Sequence, residues 1–206
     1  MMRIAPDAVE GDGLVLEPLA QENRREVQQA LDCDPAAWDL QVSNGAGDGF
    51  DLFWAMLMRD IRQGKRIGYA VRRLTDGRVV GTTSFSDIVP VHRTVEIGTT
   101  FLHADARGSW INPAMKLAML RVAFGSGAVR VQLQTDSRNS RSQAAIARIG
   151  GRKEGVLRRH KTTWTGHQRD SVIFSIVDCD WPDTERKLVE LLNRRRHRAA
   201  DAKVRS

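Results

Sequence analysis

Cysteine is scarce in this chain: Cys33 and Cys179 are the only two in 206 residues. They are too few and too scattered for a disulfide framework. The five histidines form no ligand pair with them at metal spacing, so neither a disulfide nor zinc is expected. Tyrosine is scarcer still, with Tyr69 alone. No apolar run approaches the roughly 18 residues that a membrane span needs. The start of the chain, Met1-Met2-Arg3-Ile4-Ala5-Pro6, lacks the apolar core of a secretion signal. The expectation is a cytoplasmic protein. Internal repeats are absent, and the length suits one domain with a full core, or one domain with a tail.

Charge is present in plenty, at 28% of residues with a net +7, but it is unevenly placed. Residues 183–206 hold eight Lys/Arg against four acids, so more than half of the net charge lies there. The chain divides on this basis into a domain over 1–182 and a C-terminal helix and basic tail over 183–206. Such an end suits contact with RNA, a ribosome or an acidic partner. It equally suits a solvated helix end, where cations complement the dipole. No aromatic side chain is interleaved with these charges, which weakens single-strand binding.

One stretch organises the rest. Thr94-Val95-Glu96-Ile97-Gly98-Thr99-Thr100-Phe101-Leu102 alternates, with Val95, Ile97 and Phe101 on one face and Glu96, Gly98 and Thr100 on the other. His103 to Asn112 then lead into an apolar run with Leu117, Leu120 and Phe124 at helical spacing. Asn112 fits an N-cap and Pro113 the first helical position. A strand that passes through Arg107-Gly108 into a helix start gathers free N–H groups, the positive helix end and a guanidinium. That is a socket for phosphate, or else an ordinary turn in which the glycine relieves strain.

Before it, residues 13–19 read as a strand and 21–31 as a polar helix. Residues 32–49 form a loop too long for a simple connection, with Trp38 and glycines at 45, 47 and 49. A helix follows over 50–61, and strands over 67–74 and 78–85 are joined by Thr75-Asp76-Gly77, a hairpin signal. After it come a strand over 129–135, a helix over 143–149 closed by Gly150-Gly151, strands over 152–158 and 171–177, and a last helix from residue 180.

Glu96-Ile97-Gly98, the Arg107-Gly108 turn, Asn139-x-x-Ser142 and Ala145-Ile146-Ala147-Arg148-Ile149-Gly150 together resemble the GNAT superfamily of acyl-CoA N-acyltransferases. Within it they most resemble the RimJ/RimL branch of ribosomal-protein N-terminal acetyltransferases, over residues 14–180. The resemblance implies an α+β GNAT fold: a mixed, mostly antiparallel sheet with helices on both faces. It also implies that strands 94–102 and 129–135 splay apart to admit the pantetheine arm of acetyl-CoA. The implied cofactor contacts are Phe101, Leu102, Arg107, Gly108, Ser109, Trp110, Ile111, Asn112, Asn139 and Ser142. No metal is implied.

Acetyl transfer needs a base, because a primary amine is protonated near neutral pH. Glu96 is the candidate, since a carboxylate on a cleft wall gains proton affinity by desolvation, and Gly98 beside it leaves room. A structural salt bridge to an arginine is the other reading. The tetrahedral oxyanion needs a donor, which a backbone N–H near Phe101 or Leu102 supplies. Many members of the superfamily protonate the leaving thiolate with a tyrosine in the helix after Asn139. Here that position is Ile146, so Ser142, the group implied by the resemblance to the RimL-like branch, or a water takes its place.

The phosphate loop of the superfamily, Gln/Arg-x-x-Gly-x-Gly/Ala, finds Asp105 and Trp110 at its first and last positions. Trp110 is tolerable only with its ring turned aside. Asn139 is also a good N-cap, which is compatible with a cofactor contact.

The resulting expectation is direct acetyl transfer from acetyl-CoA to a protein N-terminal α-amine, a lysine side chain or a small-molecule amine, by a monomer or homodimer. The loop over 43–49 with Trp38, and the loop with His160 and Trp164, are where acceptor choice is expected. Two rivals remain: a non-catalytic acyl-CoA-binding regulator, and a basic RNA- or ribosome-associated module.

Overall fold

The computed structural model describes the backbone of residues 2–204 and the side chains of residues 2–194. Its strands are β1 (Val9–Gly11), β2 (Leu14–Pro18), β3 (Arg66–Arg73), β4 (Val79–Val89), β5 (Thr94–Leu102), β6 (Arg130–Asp136), β7 (Arg152–Thr162) and β8 (Gln168–Val177). The helices are α1 (Arg24–Leu31), α2 (Phe50–Arg62), α3 (Ile111–Gly125), α4 (Ser140–Arg148) and α5 (Trp181–Val204). One sheet holds all eight strands in the order β1-β2-β3-β4-β5-β6-β8-β7. Every neighbouring pair is antiparallel except β5 and β6. This is the α+β architecture that the sequence led us to expect.

β1 lies outside that expectation. At three residues it is too short to show a period, yet Asp12 and Gly13 both adopt positive φ, +54° and +83°. An Asp-Gly pair in that conformation makes the tight turn whose twist matches two antiparallel strands.

The helices divide between the two faces of the sheet. α3, α4 and α5 cover one face, where Met115, Leu117 and Met119 of α3, Ile146 of α4 and Leu188 and Leu192 of α5 share a core with Val95 and Ile97. On the other face, α1, α2 and the segment carrying Trp38 bury Val27, Leu31, Phe50, Phe53 and Trp54.

β5 departs from simple alternation. Gly98 pairs with Ser84 and Phe101 with Thr82, so Thr99 and Thr100 together oppose Thr83 alone. This is a β-bulge, and Thr99 sits in it at a φ of +48°. The extra residue reverses the parity of the strand. Phe101 therefore joins the α1/α2 core, stacked on Trp38 at 4.5 Å, and not the core of Val95 and Ile97 as the alternation predicts. Thr100 moves to the α3 face.

β5 and β6 pair only from Thr94–Arg130 to Glu96–Gln132. Beyond that point they diverge, while β6 continues along β8 as far as Asp136. The splay predicted from the resemblance is thus present, and the bulge lies at its apex.

α3 begins at Ile111, not at Pro113, with Trp110 as its N-cap residue. Ser109 does the capping: its Oγ accepts from the Ile111 N–H at 3.1 Å and donates to the Ala106 carbonyl at 2.6 Å. α4 starts three residues before the predicted position, with the Asn139 side chain accepting the Ser142 N–H at 2.9 Å. No helix among the described residues is long and apolar enough to cross a membrane.

Candidate active site

The splay opens a cavity of about 390 Å³. Its β5 side is formed by Ile97 to Leu102, the turn Arg107–Ser109, Asn112 and Lys116. Its β6 side is formed by Leu133, Gln134, Thr135, Asn139, Ser142, Ile146 and Ile149. Of the residues predicted to hold the cofactor, Phe101, Leu102, Arg107, Gly108, Ser109, Asn112, Asn139 and Ser142 line it together. Trp110 and Ile111 do not. Ile111 is in the core at 1% exposure, and the Trp110 ring lies across Gly13, 3.2 Å from where a Cβ there would stand. The bulky residue at the small-residue position of the loop is accommodated by turning away from the cleft.

Glu96 stands just behind the cavity wall. It is 7% exposed, and its Oε2 accepts from the Gln132 and Gln134 side-chain amides at 3.1 and 2.5 Å. Its Oε1 lies over Gly98, 2.8 Å from the position a Cβ would take. Gly98 and Gln134 are themselves cavity residues. The alternative reading of Glu96, a salt bridge to an arginine, does not occur among the described residues: glutamine amides hold it instead. Gln132 and Gln134 alternate with Val131 and Leu133, which places them on Glu96's face, and that period was legible in the sequence.

Arg107 is engaged differently from the expectation. Its Nε donates to the Leu102 carbonyl at 2.7 Å, its guanidinium pairs with Asp34, and it lies 4.9 Å over the Phe101 ring. The hydrogen bond from Arg107 holds the Asp34 carboxyl below its usual range, against the effect of burial. Arg107 thus ties the Trp38 segment to the end of β5, and its charge is matched within the protein. Arg141 and Arg148, on α4, also line the cavity and are exposed. The sequence reading did not single them out.

Tyr69 does not reach the cleft. It is fully buried in β3, its hydroxyl has no partner among the described residues, and burial pushes it up to about 12. Ile146, at the position where the resemblance implies a tyrosine, lines the cavity instead.

Two buried cations were also missed. Lys116 is 5% exposed, donates from Nζ to Thr100 Oγ1 at 2.7 Å, and is pushed down to about 7 by burial, with Glu96 opposing. Its signal was a single charge inside the run Ala114-Met115-Lys116-Leu117-Ala118-Met119-Leu120, in a helix without a polar stripe. Arg169, equally buried, lines the cavity from β8 and donates to Ser171 Oγ at 3.2 Å. Burial holds it below its ordinary value, with Asp136 and Glu96 opposing.

Residues 13–152 match the family model described as an acetyltransferase (GNAT) domain. The chain belongs to the GNAT acetyltransferase family. An acetyl-CoA-dependent N-acetyltransferase activity comes with that membership. Among solved structures, a T. thermophilus protein assigned as an acetyltransferase shares 31% identity at a TM-score of 0.82, over 93% of this chain and 100% of that one. Mycobacterium smegmatis RimJ, in complex with CoA-disulfide, shares 20% identity at a TM-score of 0.76, over 90% and 95%. A ribosomal-protein-S5-alanine acetyltransferase from Vibrio fischeri shares 15% at 0.67, over 84% and 98%. At these lower identities the likeness is one of fold. No curated protein matches the sequence.

The residues present fit acetyl-CoA. Gly108, at a φ of +70° with nothing within 4 Å of where a Cβ would stand, leaves open ground in front of the α3 N-terminus. The diverging edges of β5 and β6 leave backbone groups available to an extended ligand. Among the described residues, no three His, Cys, Asp or Glu side chains gather as metal ligands would.

Proposed function

We propose that this GNAT acetyltransferase acetylates a primary amine by direct transfer in a ternary complex, with Glu96 as base. The observation that carries the reading is the division of labour on one carboxylate. Oε2 is held by two amides while Oε1 is left over Gly98, beside the cavity. A base needs this combination of fixed orientation and one available oxygen.

Acetyl-CoA supplies the acetyl group as a thioester. Glu96 takes the proton of the incoming ammonium, directly or through a water in the space that Gly98 leaves. A backbone N–H at the bulge, near Phe101 or Leu102, faces the carbonyl oxygen as it becomes an oxyanion. Ser142, on the α4 side of the cleft, hydrogen-bonds the departing sulfur. An alkylthiolate, with a pKa of roughly 8 to 9, leaves without a strong acid, so a serine suffices where others use tyrosine.

The favoured acceptor is a protein N-terminal α-amine, with a lysine side chain or a small amine as the alternatives. The likeness to RimJ and to the S5-alanine enzyme supports the first. The segment at 35–41 meets the β7–β8 tip, where the Trp164 indole N–H donates to the Trp38 carbonyl at 2.9 Å and the Trp164 amide to the Gln41 carbonyl at 3.2 Å. Gln41 also lines the cavity, so the two loops expected to govern acceptor choice touch one another at its rim. Incubation of the protein with acetyl-CoA and a cell extract, followed by mass spectrometry, should return acetylated protein N-termini. Acetylation confined to small amines would replace this acceptor, and failure to turn over any amine would overturn the reading.

A further inference from the structure

Lys116 has no evident structural reason to be charged. It lies among Met115, Leu117 and Met119 in the α3 core layer, and among the described residues no carboxylate pairs with it. Its hydrogen-bond partner there is Thr100 Oγ1, at 2.7 Å. Among the described residues, the ionisable group that acts on it is Glu96, which lies on the other face of β5 and reaches it only through its field. A buried ammonium without a counter-ion is costly, and a methionine of similar shape would fill the same space.

What Lys116 holds is the bulge. The Thr100 hydroxyl that receives it is shared with Thr83 Oγ1 at 2.9 Å. The neighbouring strained residue, Thr99, takes a second, partly buried cation from the opposite face: Arg66 Nη1 donates to Thr99 Oγ1 at 2.6 Å. Both residues at the apex of the splay are thus anchored by positive side chains, one from each side of the sheet. Acyl transfer generates negative charge beside them, first on the carbonyl oxygen and then on sulfur.

We propose that Lys116 is a positioning cation for acyl transfer: in its ammonium form it locks Thr100 and the β5 bulge, and lends positive charge to the anion formed in the cleft. The proposal rests on the acetyl-transfer reading above. It makes the reaction depend on Lys116 keeping its proton. Loss of the Lys116 proton as pH rises from about 7 towards 9 therefore lowers the maximal rate.

The test compares the native protein with Lys116→Met and Lys116→Arg, using acetyl-CoA and the most active amine of a peptide and small-amine panel. Lys116→Met should lower kcat by about 10-fold or more, leave KM for acetyl-CoA within about twofold, and remove the alkaline limb of the kcat profile. Its melting temperature should equal or exceed the native value, because a buried charge has gone. Lys116→Arg should keep the rate at alkaline pH. A native rate and profile in Lys116→Met would overturn the proposal, as would a loss confined to KM, or a lower melting temperature with the alkaline limb intact. Should Lys116→Met not fold, Thr100→Val decides in the same way, an unaltered rate overturning the proposal.

A second arm needs no turnover. Between about pH 7 and 10 the unfolded chain carries a proton on Lys116 that the folded protein lacks, so stability rises with pH across that window. The native melting temperature should climb relative to that of Lys116→Met from pH 7 to 9, and parallel curves would overturn the proposal. If no amine is acetylated, the acetyl-transfer reading fails while this arm still reports on Lys116.

Discussion

At the scale of single residues, the proposed chemistry rests on how Glu96 is held. Charged residues of a half-buried strand usually find an opposite charge, but here the partners are two glutamine amides, which orient a carboxylate without neutralising it. Glu96→Gln keeps the size and removes the proton acceptor. Acetylation should slow by about 10² or more at neutral pH, with acetyl-CoA affinity nearly unchanged. Steady-state rates from pH 6 to 9 check this, and equal rates across that range would return Glu96 to a structural role.

Ser142 belongs to the same scale. Its N–H is spent on the Asn139 cap, while its side chain faces the cleft. Ser142→Ala should lower the maximal rate by roughly 10-fold, about 1.4 kcal/mol, a smaller loss than for Glu96→Gln because a thiolate leaves unaided. Ile146→Tyr should partly rescue it if the ring fits, since Ile146 already borders the cavity. Rate and melting temperature measured together decide between roles: a lower melting point at an unchanged rate removes Ser142 from the catalytic set.

At the scale of elements, the β5 bulge and the start of α3 do most to shape the site. A regular β5 would keep Phe101 with Val95 and Ile97. The bulge sends it to the opposite core and strands Thr99 in the left-handed region, a strain that Arg66, Thr82 and the cleft geometry hold in place. At α3, Gly108 gives the backbone its turn and leaves the space ahead of the helix open. Gly108→Asp should abolish the rise in melting temperature produced by acetyl-CoA, because it puts a carboxylate where phosphate is expected and a side chain at a positive φ. Thermal shifts with and without acetyl-CoA test it. An undiminished shift in the folded variant would place the cofactor elsewhere.

At the scale of the whole molecule, α5 joins the main core through Leu188 and Leu192, at 1% and 3% exposure, and these precede the most basic part of the tail. The side chains of Arg195, Arg196, Arg198, Lys203 and Arg205 lie outside the described residues. A chain ended after Asn193 should therefore keep its melting temperature to within a few degrees and keep its turnover. A chain ended before Leu188 should lose about 3–6 kcal/mol of burial and be strongly destabilised. Calorimetry of the two truncations tests this. Salt-sensitive RNA binding that disappears with residues 194–206 would instead give the tail a part in recognising its partner.

Much of this protein could be read from its sequence, because the relevant signals are local. Alternation marked β5, β6 and β8; the Asp76-Gly77 turn marked the β3–β4 hairpin; the cap at Asn139 marked the region where α4 begins. The order of short motifs identified the GNAT pattern, and the splay followed from it. Tertiary structure decided what depends on long-range contacts. Inserting one residue opposite Thr83 reverses the faces of β5, and no period within the strand reveals it. Whether Trp110 enters the cleft depended on the space above Gly13, almost a hundred residues earlier. Whether the Arg107 charge was matched within the protein depended on Asp34. Lys116 was visible as the one charge inside the apolar run from Ala114 to Leu120, but only packing against the bulge shows that it is buried, unpaired with any described carboxylate, and set at the wall of the cleft.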